Sequence, residues 1–277
     1  MIPKYLTSNP FPESHWTPDM KPIAVLDGEP FSIKSLTDAV SVDISYFVGV
    51  NQKAFEKVVR LVSSRVMHFY EMRVADISGI TQNSRLEELA IHWNSKLQDI
   101  SPLADMQQLK GLVLEDTPKL YDLSPLEQCK ELETLEYSGG MWKKNKANSL
   151  EYIAVLPKLK HLCLLNLSVD SHGLKPLANL NVLEELELSN QFPTEDYAYL
   201  AVHLKYTKCD YFVPFVEMSG KIDGKDVMVV GSRKPFLNKV KDSKKLERYV
   251  KQFGALKAKF TANKASRPTP KSGAAEL

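Results

Sequence analysis

The sequence predicts an α/β solenoid, a right-handed horseshoe of stacked strand-and-turn units with a parallel concave sheet, closed by a cap at each end. Three observations carry that expectation. From Leu86 the apolar positions Leu86, Leu89, Ile91, Leu97, Ile100, Leu103 and Met106 return 23 residues later as Leu109, Leu112, Leu114, Leu120, Leu123, Leu126 and Cys129. The turn text returns with them, as Asp99-Ile100-Ser101-Pro102-Leu103 and Asp122-Leu123-Ser124-Pro125-Leu126. Inside each unit apolar residues alternate with polar or small ones, as on a strand with one buried face, before a second apolar edge folds back over it.

Self-similarity at this fixed period is the signature of a leucine-rich repeat. One unit cannot close a core alone, so it stacks on its neighbours. Burying seven apolar side chains per unit, at roughly 1.5–3 kcal/mol each, favours stacking, although conformational entropy offsets most of that sum.

Residues 1–40 lack the repeat and read as an N-terminal cap over an otherwise open sheet edge. Five prolines, from Pro10 to Pro30, give it an irregular start, and Ile23–Leu26, Asp27-Gly28 and Phe31–Ile33 suggest a hairpin. The repeat region spans 41–212. It opens with a strand at Val42–Phe47, a helix face of Phe55, Val58, Val59 and Leu61-Val62, and a strand at Val66–Met72. Asp76-Ile77-Ser78-Gly79-Ile80 then matches the later turn text, marking a degenerate repeat. Clear units begin at Leu86, Leu109, Leu132, Leu159 and Leu183, and the longer third unit places its excess in Ser138–Lys146. Residues 213–260 read as a C-terminal cap, with a strand at Asp226–Gly231 and a basic helix whose face is Leu246, Val250, Phe253, Leu256 and Phe260. The Ala-, Pro-, Ser- and Lys-rich stretch 261–277 reads as a disordered tail.

The Leu86–Asn190 stretch, with its Asp-Ile/Leu-Ser-Pro-Leu turns, resembles the bacterial internalin-like leucine-rich repeats. Gly231–Asn238 and the lysine-rich helix after it look like the ending of some bacterial repeat proteins. The resemblance implies a non-enzymatic protein-binding module. Secreted internalins carry signal peptides and surface anchors that this sequence does not show, so their adhesive role is not carried over.

A chain of 277 residues, 43% hydrophobic and 25% charged, can bury a large core as one continuous globular solenoid. Neither a secretory signal nor a membrane span is visible, and three widely spaced cysteines suit a reducing compartment. A cytoplasmic monomer is therefore expected. Charge is unevenly placed: Lys221–Leu277 carries 15 Lys/Arg against 5 Asp/Glu, a net of +10, while the remaining residues sum to −8.

Strand residues between the buried leucines point to the concave surface, where Glu88, Glu115, Asp116, Glu136, Glu185 and Glu187 would form an acidic field beside His92 and His161. Such carboxylates suit a basic protein partner, and equally they suit the solubility of a solvated sheet. Trp93 and the Met141-Trp142 pair are candidate interface anchors, unless Trp142 folds back over its own solenoid. His161 and Cys163 share a strand face, but no third orienting residue accompanies them, so no catalytic residue, cofactor, small-molecule substrate or metal is expected. The reading is a protein that binds a partner on its concave face, as an adaptor or immunity protein would. The alternative is nucleic-acid or anionic-surface binding through the basic C-terminal segment. Nucleic acid is the weaker of the two, because aromatic residues do not interleave with those charges.

Overall fold

The computed structural model describes residues 21–265. Two compact units divide the chain. One comprises the residues up to Ser189 together with Tyr206–Cys209, and the other comprises Asn190–Lys205 and the residues from Asp210 onward.

The first unit opens with the expected hairpin, β1 (Ile23–Leu26) and β2 (Glu29–Ser32), paired antiparallel through the Asp27-Gly28 turn. Strand β3 (Val40–Val48) lies antiparallel to β1. Helix α1 (Gln52–Leu61) follows, started by Asn51, whose side chain accepts the Ala54 N–H at 3.0 Å, and it buries Phe55, Val58 and Val59. It runs directly into β4 (Val62–Tyr70), so this strand begins four residues before the expected Val66.

From β3 onward the sheet is parallel. Each turn of the repeat returns one strand: β5 (Glu88–His92), β6 (Gly111–Glu115) and β7 (Thr134–Ser138). The inserted residues then form β8 (Asn145–Ser149), outside the main sheet. Strand β9 (His161–Leu164) rejoins that sheet, β10 (Leu167–Ser171) pairs in parallel with β8, and β11 (Glu185–Leu188) completes the order β11-β9-β7-β6-β5-β4-β3-β1-β2. Register stacks Met67, Leu89, Leu112, Leu135, Leu162 and Leu186 into one ladder, each at most 1% exposed. The fold is the leucine-rich-repeat solenoid that the spacing requires.

The repeated turn text has a local cause. In Asp99-Ile100-Ser101 the carboxylate accepts the Ser101 N–H at 2.7 Å and the Ser101 hydroxyl at 2.9 Å, and Asp122 does the same for Ser124. Each carboxylate thereby closes a local Asp-x-Ser turn that leads into a short 3-10 turn, Ser101–Asp105 or Ser124–Gln128, whose leucine enters the core. Hydrogen bonding from Ser124 holds the Asp122 carboxyl below its ordinary range.

In the second unit, helix α2 (Thr194–His203) stands where another 3-10 turn would be expected. A small antiparallel sheet of β12 (Phe215–Ile222), β13 (Lys225–Val229) and β14 (Phe236–Leu237) follows, and then helix α3 (Ser243–Ala265). Only β13 matches an expected strand. Every residue of β12 is exposed or half-buried, so no apolar period announces it. Val227, Val229, Leu237 and Leu246 form this unit's core, and Phe260 of α3 meets Tyr199 of α2 edge-on at 5.2 Å. Residues 261–265, expected in the tail, are the last turn of α3; the expected tail from 266 and the expected cap up to residue 20 lie outside the described residues. Among the described residues no helix is long and apolar enough to cross a membrane.

Candidate functional site

Because strand side chains alternate, the buried leucine ladder leaves a second sheet face built from Glu88, Ala90 and His92 and their partners in register. One row reads Tyr46, His68, Ala90, Val113, Glu136, Cys163 and Glu187 from β3 to β11. A second begins Val48, Tyr70, His92, Glu115 and Ser138.

The face differs from the solvated acidic field expected of it. Its middle is apolar and buried, with Ala90, Val113 and Cys163 forming one cluster joined by Leu165. Glu88, Glu136 and His92 are buried as well. Small side chains here lie low between longer ones on strands about 4.8 Å away. Many of the carboxylates are also already neutralised across strands. Glu88 pairs with Arg65 at 3.3 Å and Glu185 with Lys208 at 2.8 Å, while the flanking Glu87 and Glu133 pair with Lys110 and Lys160. His161 Nδ1 stands 3.9 Å from Glu185 Oε2.

Three carboxylates form the acidic centre. Among the described residues, no lysine or arginine forms an ion pair with Glu115, Glu136 or Glu187. Burial pushes the Glu136 carboxyl above its ordinary value, and the Glu115 and Glu187 charges push it further, against the Ser138 hydrogen bond that lowers it. His92 Nδ1 contacts Glu115 Oε2 at 2.6 Å.

Beside that centre lies an aromatic stack invisible to the repeat pattern. Tyr70 and His92 stack at 4.5 Å with rings 6° apart, and His68 lies 4.8 Å from Tyr46 and 6.3 Å from both Tyr70 and His92. Both ring nitrogens of His68 are buried without a hydrogen-bond partner, and its pKa is pushed down to about 3 by burial, helped by the neighbouring His92. The sequence signal for these residues was the alternation in β3 and β4, but without leucines it carried no phase.

Cys163 is a poor nucleophile. Burial, then the Glu136 and Glu187 charges, raise its thiol far above the ordinary value, and its sulfur lies 3.8 Å from the Ser138 hydroxyl. Cys129 is buried and pushed up to about 11. Among the described residues no group of three or more His, Cys, Asp or Glu could hold a metal ion.

Trp93, Asp116, Met141 and Trp142 lie past the strand ends, with Asp116 still near Glu115, whose charge adds to burial in raising the Asp116 carboxyl. Trp93 and Asp116 occupy the left-handed region at φ +58° and +48°, each donating its N–H to the strand that follows. Asp116 sits under Gly140, where a Cβ would come within 2.3 Å of its carboxyl carbon, so any larger residue there would have to displace the Asp116 side chain. Met141 and Trp142 are 85% and 90% exposed, so Trp142 does not fold back over the solenoid.

No family model and no curated protein matches the sequence. Among solved structures, the chain is similar to internalin C2 from Listeria monocytogenes, at 19% identity and a TM-score of 0.45 over 66% of this chain and 74% of that one. A second internalin of that organism matches at 15% identity and a TM-score of 0.33, over 66% of this chain and 63% of that one. The Toll–Spatzle complex from Drosophila matches at 16% identity and a TM-score of 0.43, over 64% of this chain and 28% of that one.

Proposed function

We propose that the protein is a non-catalytic binding module that holds a basic protein segment against the second face of its sheet. The observation that carries this reading is Glu136. Its carboxyl is buried near two like charges, Glu115 and Glu187, so holding it ionised costs stability in the isolated fold. A lysine or arginine from a partner would lift that cost, and would do so most strongly where water is already excluded. The buried Tyr70–His92 stack beside it helps keep that part of the face dry, where a charge pair is screened least. Adaptor and immunity proteins work by such recognition, and the chain's use in a cytoplasmic setting belongs to the same reading.

The test begins with affinity capture from the native cell and identification of what is retained. Association is then measured with Glu136→Lys and Glu187→Lys together. The charge reversal is expected to slow association and flatten its salt dependence, because steering acts through screened long-range attraction. Unchanged rates in a folded variant would move the partner to another surface.

A further inference from the structure

The insertion after β7 builds a second surface, of opposite charge. Its base is fastened rather than loose. Gly139 donates to Leu165 O at 2.9 Å, the Asn166 amide donates to Gly140 O at 2.7 Å and to Lys143 O at 3.3 Å, and Asn145 N donates to Asn166 O at 3.2 Å. Met141 and Trp142 project from that clamp almost wholly into solvent.

Around them, three successive repeats contribute lysines. Lys96 and Lys119 come from the turns after β5 and β6, and with Lys143, Lys144 and Lys146 they line one shallow depression of about 630 Å³. None of the five forms an ion pair among the described residues, and the Lys143 charge works to lower the Asp116 carboxyl. These charges stand out because residues 1–220 are net acidic.

We propose that this edge is a docking surface for an anionic lipid bilayer, with Trp142 and Met141 entering the headgroup boundary and the five lysines lying over acidic headgroups. Two adjacent apolar side chains exposed with no cup around them need an apolar medium supplied from outside. So short an insertion binds reversibly on its own, and a polybasic patch is the second signal that makes such anchoring stable. The cations are all lysine, with no arginine in the depression. Lysine is a hydrated point charge suited to a fluid array of headgroups, whereas fixed phosphate or carboxylate geometry favours the arginine fork. A nucleic-acid base would stack on the indole but leave Met141 unused. An acidic protein would bring lysine into the interface centre, where it is depleted.

The experiment uses the full chain with vesicles of phosphatidylcholine, with and without phosphatidylserine, read by co-sedimentation and tryptophan emission. Binding is expected only with phosphatidylserine, accompanied by a blue shift that Trp142→Phe reduces. Replacing Lys143, Lys144 and Lys146 together by Gln should weaken binding by roughly a hundredfold, at about fivefold per lysine. Both variants alter exposed side chains, so circular dichroism and melting should match the parent. Equal binding to both vesicles, or none, overturns the proposal, as does tight binding to oligo-dT or polyglutamate without vesicle binding. Glu136→Lys with Glu187→Lys should leave vesicle binding undiminished, which separates this surface from the acidic one.

Discussion

At the scale of single residues, the leucine ladder and His68 make opposite demands. Leu112 is fully buried in register with Leu89 and Leu135, so Leu112→Ala opens a cavity that the neighbouring strands cannot close. A loss of about 2–5 kcal/mol in urea denaturation is expected, and a loss below about 0.5 kcal/mol would refute the phase of the repeat. His68 instead makes stability depend on pH. Its folded pKa is about 3 against the ordinary 6.5 of an exposed imidazole, so the unfolded state binds more protons between those values. The stability contributed by the neutral ring is full above about pH 6.5 and is lost as pH falls toward 3, amounting to roughly 4–5 kcal/mol across the window. Glu136 works the other way: its raised carboxyl favours the folded state as pH falls through its folded value toward 4.5. His68→Phe should therefore flatten the acid limb of a melting-temperature profile, and Glu136→Gln should raise stability at neutral pH. An unchanged acid limb in His68→Phe would show that the ring is hydrated.

At the scale of elements, what the sequence made legible follows what the repeat needs. Stacking demands leucine at fixed positions, so β5, β6, β7, β9 and β11 were readable from spacing, and the turns at Asp76, Asp99 and Asp122 from their repeated text. Where a different chemistry satisfies the same backbone, the spacing is silent. Tyr137 takes a leucine position because β8 offers Lys146 O at 2.7 Å to its hydroxyl, with Leu120 O at 2.8 Å. Strand β8 itself reads as polar loop, Asn145-Lys146-Ala147-Asn148-Ser149, and becomes a strand only through β10. Helix α2 and the strand β12 were missed for the same reason, since one has weak amphipathic contrast and the other no buried face. The candidate site was half legible: spacing located Glu115, Glu136 and Glu187, but the cross-strand lysines that silence other glutamates, and the Tyr46–His68–Tyr70 stack, depend on register between strands. Asn145 is the hinge of the insertion. Its side chain accepts the Thr117 N–H at 3.1 Å and donates to Ser138 O at 2.9 Å while wholly buried. Asn145→Ala strands the Thr117 N–H, at about 1–3 kcal/mol for a group left unsatisfied, whereas Ser138 O keeps the Asp116 N–H at 2.9 Å. Amide exchange at Thr117 should accelerate with that loss; protection equal to the parent's would mean that a water replaces the side chain.

At the scale of the whole molecule, a net charge of only +2 hides two large opposing charges, −8 over residues 1–220 and +10 from Lys221 onward. A protein with little net charge has weak mutual repulsion, and one whose charge is segregated along the chain has complementary surfaces to offer another copy. Helix α3 carries six lysines and Arg248, seven of the fifteen basic residues of the positive end, and it buries Leu246, Phe253 and Phe260 while its lysines stay exposed or half-buried. Attraction between the basic part of one molecule and the acidic part of another is electrostatic and therefore screened by salt. The Debye length falls from about 30 Å at 0.01 M salt to about 8 Å at 0.15 M. Sedimentation at these two ionic strengths should then show reversible association at the lower one and a monomer at the higher. Replacing the α3 lysines Lys244, Lys245, Lys251 and Lys257 by Gln should abolish the low-salt association with little change in melting temperature, since none of the four is buried. Association that persists at 0.15 M salt would instead require an apolar interface, and the exposed Met141-Trp142 tip would be the first surface to examine by substitution.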